Sequence, residues 1–301
     1  MKYVSLVVVS MMLVLSSLAC CCFPFPVPTI EVPDIDLDLP EVEVGAMQSY
    51  EEEIPADGVT EAQVDIILGA GELSLAAGDP DVLLEGYFQT NVEEWAPEVT
   101  WENGNLRISQ GNSEGFPNSS EMENEWDLSF SPDVPLEMDM EIGAIQGDLD
   151  FTGLAITDLF LDAGAGDLYI AFDAPNQAEM DEMRVRSGAA MLEIVGIGNA
   201  SPEEVQVEAG VGQTTLDFSG AWTRSARVRV TSGTGMVVLR LPEDVGVRVQ
   251  VEGGLSSVDT DGDWQRLGSD YVNEAYGESE IELIVEATLG MGALDLELVG
   301  E

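Results

Sequence analysis

One recurring unit restricts the fold of this chain more than any other feature. An alternating strand runs into a glycine, a second small or turn residue follows, and a second alternating strand leaves. It reads LGAGELSL at 68–75, IGAIQGDLDF at 142–151, AGAGDLYIAF at 163–172, SGAAMLEIVG at 187–196, AGVGQTTLDF at 209–218, SGTGMVVLRL at 232–241, GGLSSVD at 253–259 and LGMGALDLEL at 289–298. Aligning Gly143, Gly164, Gly188, Gly210, Gly233 and Gly254 gives steps of 21, 24, 22, 23 and 21 residues. Periods of this size mark solenoids and repeat arrays. A coil that short cannot bury its apolar strand face alone, and stacking on neighbours at about 4.8 Å does so.

The repeat carries its own register. Three residues before the aligned glycines stand Met140, Leu161, Val185, Val207, Val230 and Val251, an apolar column that must face inward. One residue later stand Glu141, Asp162, Arg186, Glu208, Thr231 and Glu252, a polar column that must face out. Arg186 is therefore expected between Asp162 and Glu208 of adjacent coils. The step from Gly254 to Gly290 is 36, which places an inserted loop over 260–277, and the step from Gly69 to Gly143 is 74. The predicted fold is all-β, a β-solenoid of 21–24-residue units over 131–301 preceded by a smaller N-terminal β unit over 50–130. Within that unit, Asn103-Gly104 between Val99–Trp101 and Leu106–Ile108 is a type I′ hairpin signal.

The segment GVTEAQVDIILGAGELSLAAG at 58–78, with the repeated glycine units, resembles the toast-rack, or adhesin-like, β-solenoid domains. These are related to the extracytoplasmic part of LiaF- and LiaG-type envelope-stress proteins. The resemblance covers roughly 50–301. It implies a β-stack at the cell envelope and brings no catalytic residues to transfer. Those stress proteins commonly carry several transmembrane helices, whereas this chain has one candidate anchor.

Ahead of the strands lie two other segments. Lys2 followed by the uncharged apolar run 3–18 reads as an export signal over 1–22. It ends in Ser17-Leu18-Ala19-Cys20, similar to a bacterial lipobox, with Cys20 or Cys21 as the lipid acceptor. The alternative is an uncleaved anchor, because 3–23 is long enough to span a bilayer; an ordinary cleaved signal is the third reading. Residues 23–49 form a linker in which Pro24, Pro26, Pro28, Pro33 and Pro40 favour extended chain and the acids repel one another. Such a stalk holds a domain off the outer face of a membrane.

Composition removes whole classes of chemistry. There are 58 Asp and Glu, and the one lysine, Lys2, leaves nine arginines, so a chain without its leader carries 9 − 58 = −49. That field repels phosphate backbones, which excludes nucleic acid as a partner. Histidine is absent, and the three cysteines, Cys20, Cys21 and Cys22, all lie in the leader. Histidine-dependent triads, HExxH zinc sites, thiolate nucleophiles and disulfide frameworks therefore have no parts to work with.

What remains is sparse. The Gly-x-Gly pairs read as bends between strands rather than phosphate loops, since strands and acids follow them where a helix and a lysine would be needed. Asp259, Asp261 and Asp263, spaced around Gly262, are the candidate for a weak Ca²⁺ site; the plainer reading is a solvated acidic turn. The string Asp259-Thr260-Asp261-Gly262 is also similar to the Asn-Thr-Asp-Gly of β-helical polygalacturonases, but their Gly-His-Gly motif has no counterpart here. Paired carboxylates for glycoside hydrolysis are too numerous to single out. Trp95, Trp101, Trp126, Trp222 and Trp264 read as packing residues before sugar platforms. The expected function is a non-catalytic, membrane-anchored surface module that contacts an envelope protein or glycan. The alternative is a carbohydrate-active β-helix enzyme, for which a groove of clustered acids and exposed tryptophans would speak.

Overall fold

A computed structural model describes residues 44–111 and 121–300. The leader, its cysteines and most of the linker lie outside the described residues. The described residues make one compact unit, built on a 15-stranded sheet.

The repeats become long bent strands: β2 (Ala62–Ala77), β7 (Pro135–Asp150), β8 (Ala155–Ala171), β9 (Glu182–Val195), β10 (Glu204–Asp217), β11 (Ala226–Pro242), β12 (Gly246–Asp261) and β15 (Glu282–Val299). All pair in parallel, in the order β2-β7-β8-β9-β10-β11-β15-β12. Pairing continues through the glycines, so each unit is one strand with two arms. In β7, Leu136, Met138, Met140 and Ile142 are buried, Gly143 and Ala144 are exposed in succession, and burial resumes at Ile145 and Leu149. Two consecutive outward residues shift the period-two phase by one. The chain thus turns a corner while both arms keep an apolar face on one shared core.

The corner explains the glycines. A Cβ on Gly143 would lie 2.2 Å from the carbonyl oxygen of Gly69, and the same clash recurs for Gly164 against Gly143, Gly188 against Gly164, Gly210 against Gly188 and Gly233 against Gly210. Backbones approach too closely there for a side chain.

The predicted columns are present. Ile66, Met140, Leu161, Val185, Val207, Val230, Ala287 and Val251 follow one another across the ladder. All are buried except Val251, which is half-buried on the last coil. Arg186 sits on the outer face, 3.5 Å from Asp162 and 3.6 Å from Glu208.

One expectation is corrected. The glycine steps placed the coil of Gly254 directly after that of Gly233, but β15 lies between β11 and β12. Gly290 packs on Gly233, and Gly254 on Gly290. The inward residues of the second arms account for the exchange. Leu294 and Leu296 of β15 are fully buried, whereas their partners Val258 and Thr260 on β12 are half-buried and exposed. The apolar coil fills the interior and the polar one takes the end. The inserted segment then caps it: β13 (Gln265–Leu267) and β14 (Asp270–Val272) form a hairpin, and β14 pairs antiparallel with β12. Buried Asp270 accepts hydrogen bonds from Arg248 at 2.7 Å and from Ser269.

At the other end, the two arms of β2 are covered separately. The first pairs with β5 (Asn105–Gln110), which pairs with β4 (Pro97–Glu102); the second pairs with β6 (Asn124–Phe130), followed by β3 (Val82–Thr90) and β1 (Gln48–Pro55). Asn103 and Gly104 join β4 to β5 with φ of 53° and 86°, as a type I′ hairpin requires. The ladder from β2 to β7 runs across residue 130, so the N-terminal strands and the repeats share one core.

Between coils, half-buried side-chain amides replace ladder bonds. The Asn176 side chain receives the Ile156 N–H and donates to the Ile156 carbonyl, and Asn199 bridges the Ala221 N–H to the Phe172 carbonyl. Phe151 and Phe172 stack at 5.3 Å beneath these turns.

Candidate functional site

The outer face of the second arms carries three neighbouring rows of side chains, one residue per strand. The central row is Ser74, Asp148, Tyr169, Glu193, Thr215 and Val238. Beside it, nearer the corner, run Glu72, Gln146, Asp167, Met191, Gln213 and Met236. The third row includes Asp150, Asp217 and Arg240. Central-row positions alternate with the inward Leu168 and Leu192, so they point away from the core. Yet Thr215 is 7% exposed and Val238 9%. The taller neighbouring rows shade them, and the central row becomes the floor of a groove.

That groove has a volume of about 520 Å³ and is lined from Glu72 and Ser74 on β2 to Gln213 and Thr215 on β10. It crosses five strands, four interstrand steps or about 19 Å, at right angles to them. Four carboxylates, Glu72, Asp148, Asp167 and Glu193, line it, with Tyr169 and Met191 exposed between them. The Tyr169 hydroxyl is pushed above its ordinary pKa, first by partial burial and then by Asp173, Glu193, Asp148 and Asp150. The ring therefore stays a neutral phenol inside a ring of negative charge. Among the described residues, the cation on this face is Arg240, 3.8 Å from Glu193 and 3.3 Å from Glu297.

A second trench of about 630 Å³ follows the glycine column, lined by Gly164, Gly188, Gly210 and Gly233. Its charged rim, Asp162, Arg186 and Glu208, is already an ion-paired ladder.

The outer face of the first arms is different again. Glu137 lies opposite Asp158 and Asp139 opposite Asp65, a like-charge ladder. Partial burial, with the neighbouring carboxylates, raises the pKa of Glu137, Asp139 and Asp158. Arg107 on β5 stands opposite Asp65 on its other side, and the remaining first-arm arginines lie further along, on β9, β11 and β12.

Asp259, Asp261 and Asp263 are exposed at the far end of β12 and in the turn after it. Among the described residues, no group of three or more His, Cys, Asp or Glu is arranged to hold a metal ion. The tryptophans do not line the groove. Trp95, Trp126 and Trp222 are buried, while Trp101 and Trp264 are half-buried against the core. Sequence reasoning missed Tyr169 and Met191. Their signal was an aromatic or long apolar residue at outward positions of a strand, visible once the phase shift at the corner is known.

Among the described residues, no helix is long and apolar enough to cross a membrane. A comparison with curated proteins finds no match. Among solved structures the chain is similar to a "putative cell adhesion protein" from Clostridium sporogenes, at 22% identity and TM-score 0.48, covering 84% of this chain and 100% of that one. It is also similar to a "putative adhesin" from Bacteroides fragilis, at 13% identity and TM-score 0.33, covering 83% and 97%. The model of the N-terminal toast-rack domain matches residues 43–195, just over half of the chain. With the bent parallel strands and the glycine corner, that match settles the family: the chain belongs to the toast-rack proteins.

Proposed function

We propose that this protein is a non-catalytic, adhesin-like surface module, held at the outer face of a membrane by its N-terminal segment, that binds an envelope partner through the second-arm groove. The groove carries the reading. It is the place where three carboxylates without arginine partners among the described residues, Glu72, Asp148 and Asp167, meet an exposed aromatic ring and exposed apolar surface on a rigid sheet. A rigid, preformed surface spares a binder the entropy of ordering its own site. The chemistry around it favours binding over turnover. The chain has no histidine, and its cysteines stand in the leader. Stabilising a developing anion needs positive charge or free amide donors; the groove offers carboxylates, and its backbone amides are engaged in the ladders.

Anchoring rests on Cys20 or Cys21. Labelled palmitate entering the protein, and lost in Cys20→Ala with Cys21→Ala, supports a lipid; membrane retention of that double variant with its leader intact indicates an uncleaved anchor instead.

The function is tested by capture from envelope extracts with the folded region from Tyr50 onward and with a Tyr169→Ala, Asp148→Asn variant of equal stability. Partner recovery that falls in the variant supports the groove. Equal recovery moves the binding surface elsewhere. Turnover of any polysaccharide in a parallel screen, lost on Glu137→Gln or Asp158→Asn, overturns the non-catalytic reading.

A further inference from the structure

The groove's chemistry specifies more than a place of contact. Tyr169 presents its ring, 40% exposed, from the middle of the groove floor, with Asp148 and Glu193 one strand away on either side. Asp150 and Asp173 add to the negative charge around it. An aromatic face ringed by carboxylates attracts a cation through the ring quadrupole and the charges together. The Tyr169 hydroxyl has no hydrogen-bond partner among the described residues, nor has the hydroxyl of Thr215, which is more than nine-tenths buried and lines the same groove. Both hydroxyls are thus free to meet a ligand in the groove, and Thr215 belongs to its floor.

The chain already shows a cation lying across this face. Arg240 on β11 reaches Glu193 on β9 and Glu297 on β15, spanning strands as a ligand in the groove would. Towards β2 and β7 the carboxylates continue but no arginine does. Glu72, Asp148 and Asp167 lack a salt-bridge partner among the described residues, and the only lysine of the chain is Lys2. Beside Tyr169, Met191 is 58% exposed, and Met236, two strands further along the same row, is 43% exposed. A long aliphatic stem can lie on such surface while its charged head reaches the carboxylates.

From this we infer that the second-arm groove binds an extended, lysine-rich polypeptide segment, with a lysine ammonium over Tyr169 between Asp148 and Glu193 and its stem along Met191. This inference rests on the groove being the binding surface. A polypeptide is favoured over an amine-bearing glycan by the exposed methionine side chains, on which the aliphatic stem of a lysine can lie.

The test is fluorescence anisotropy at physiological salt with the full chain. The probes are an acetylated, labelled lysine-glycine decapeptide, the same peptide with every lysine acetylated, and a labelled chitosan oligomer. The variants are Tyr169→Ala, Tyr169→Phe, Asp148→Asn with Glu193→Gln, and a charge-matched control on the first-arm face, Asp139→Asn with Glu141→Gln. The inference predicts saturable binding of the lysine peptide alone. Affinity falls about tenfold or more in Tyr169→Ala and in the groove double variant, and less than twofold in the first-arm control; Tyr169→Phe keeps most of it because the ring remains. Equal losses in groove and control variants would mean diffuse attraction and overturn the inference. So would tighter binding of chitosan, or no binding of the lysine peptide. If the lysine peptide fails while the groove variant still loses its envelope partner on capture, the groove stands and only its ligand class falls; if both fail, so does the groove.

Discussion

Gly212 offers the sharpest test of the corner. It follows the column glycine Gly210 by two residues, and its φ of +142° lies where side chains are strained. A Cβ added there would sit 1.9 Å from the carbonyl oxygen of Ala190 on the neighbouring coil and 2.9 Å from its carbonyl carbon. Those are backbone atoms locked in the ladder, so no rotamer relieves the contact. Backbone strain costs about 1–3 kcal/mol, and forcing extra volume into a packed site costs about 1–3 kcal/mol more. Gly212→Ala should therefore lose about 2–6 kcal/mol. Gly104→Ala is the matched control: its φ is +86°, but nothing lies within 4 Å of the added carbon. It carries the strain alone, about 1–3 kcal/mol. Urea unfolding followed by circular dichroism separates the two, with the midpoint of Gly212→Ala clearly below that of Gly104→Ala. Equal midpoints would refute the idea that close approach between coils, rather than φ alone, demands glycine at the corner.

Other outcomes follow from burial and charge. Val207 is fully buried in the inward column, so Val207→Asp should cost several kcal/mol, of order 3–5, in the same assay. Arg186→Ala should cost about 0–1 kcal/mol, because its ion pairs are roughly half exposed. Asp139 has its pKa raised in the fold, so ionising it opposes folding; the associated stability is present at low pH and lost as pH rises through the folded pKa. Asp139→Asn should thus stabilise the protein by a few tenths of a kcal/mol at pH 7, after screening, and the gain should vanish below about pH 4; a gain that grows on acidification would contradict the sign. Millimolar Ca²⁺ and Mg²⁺ should raise the melting temperature modestly and alike, through diffuse neutralisation. A sharp Ca²⁺-specific rise removed by Asp261→Ala would instead assign a site to the 259–263 turn.

The repeat, its inward column and the outward ladder at Arg186 were readable along the chain, because strand side chains alternate and coils of similar length must stack alike. The same logic made the glycines legible as a column, although only the structure gives their reason, the 2.2–2.5 Å that a Cβ would leave to the next carbonyl. Coil order was not legible at the end. A parallel ladder accepts β12 or β15 beside β11 equally well by period and register, and the choice is made by which second arm, Leu294 and Leu296 or Val258 and Thr260, can be buried on both sides. The groove escaped for a related reason. Thr215 and Val238 occupy outward positions, which local alternation assigns to solvent. Only the stacking of five strands sets Tyr169, Met191 and four carboxylates from separate coils around one floor, and a concavity of that kind is a property of neighbours distant in sequence.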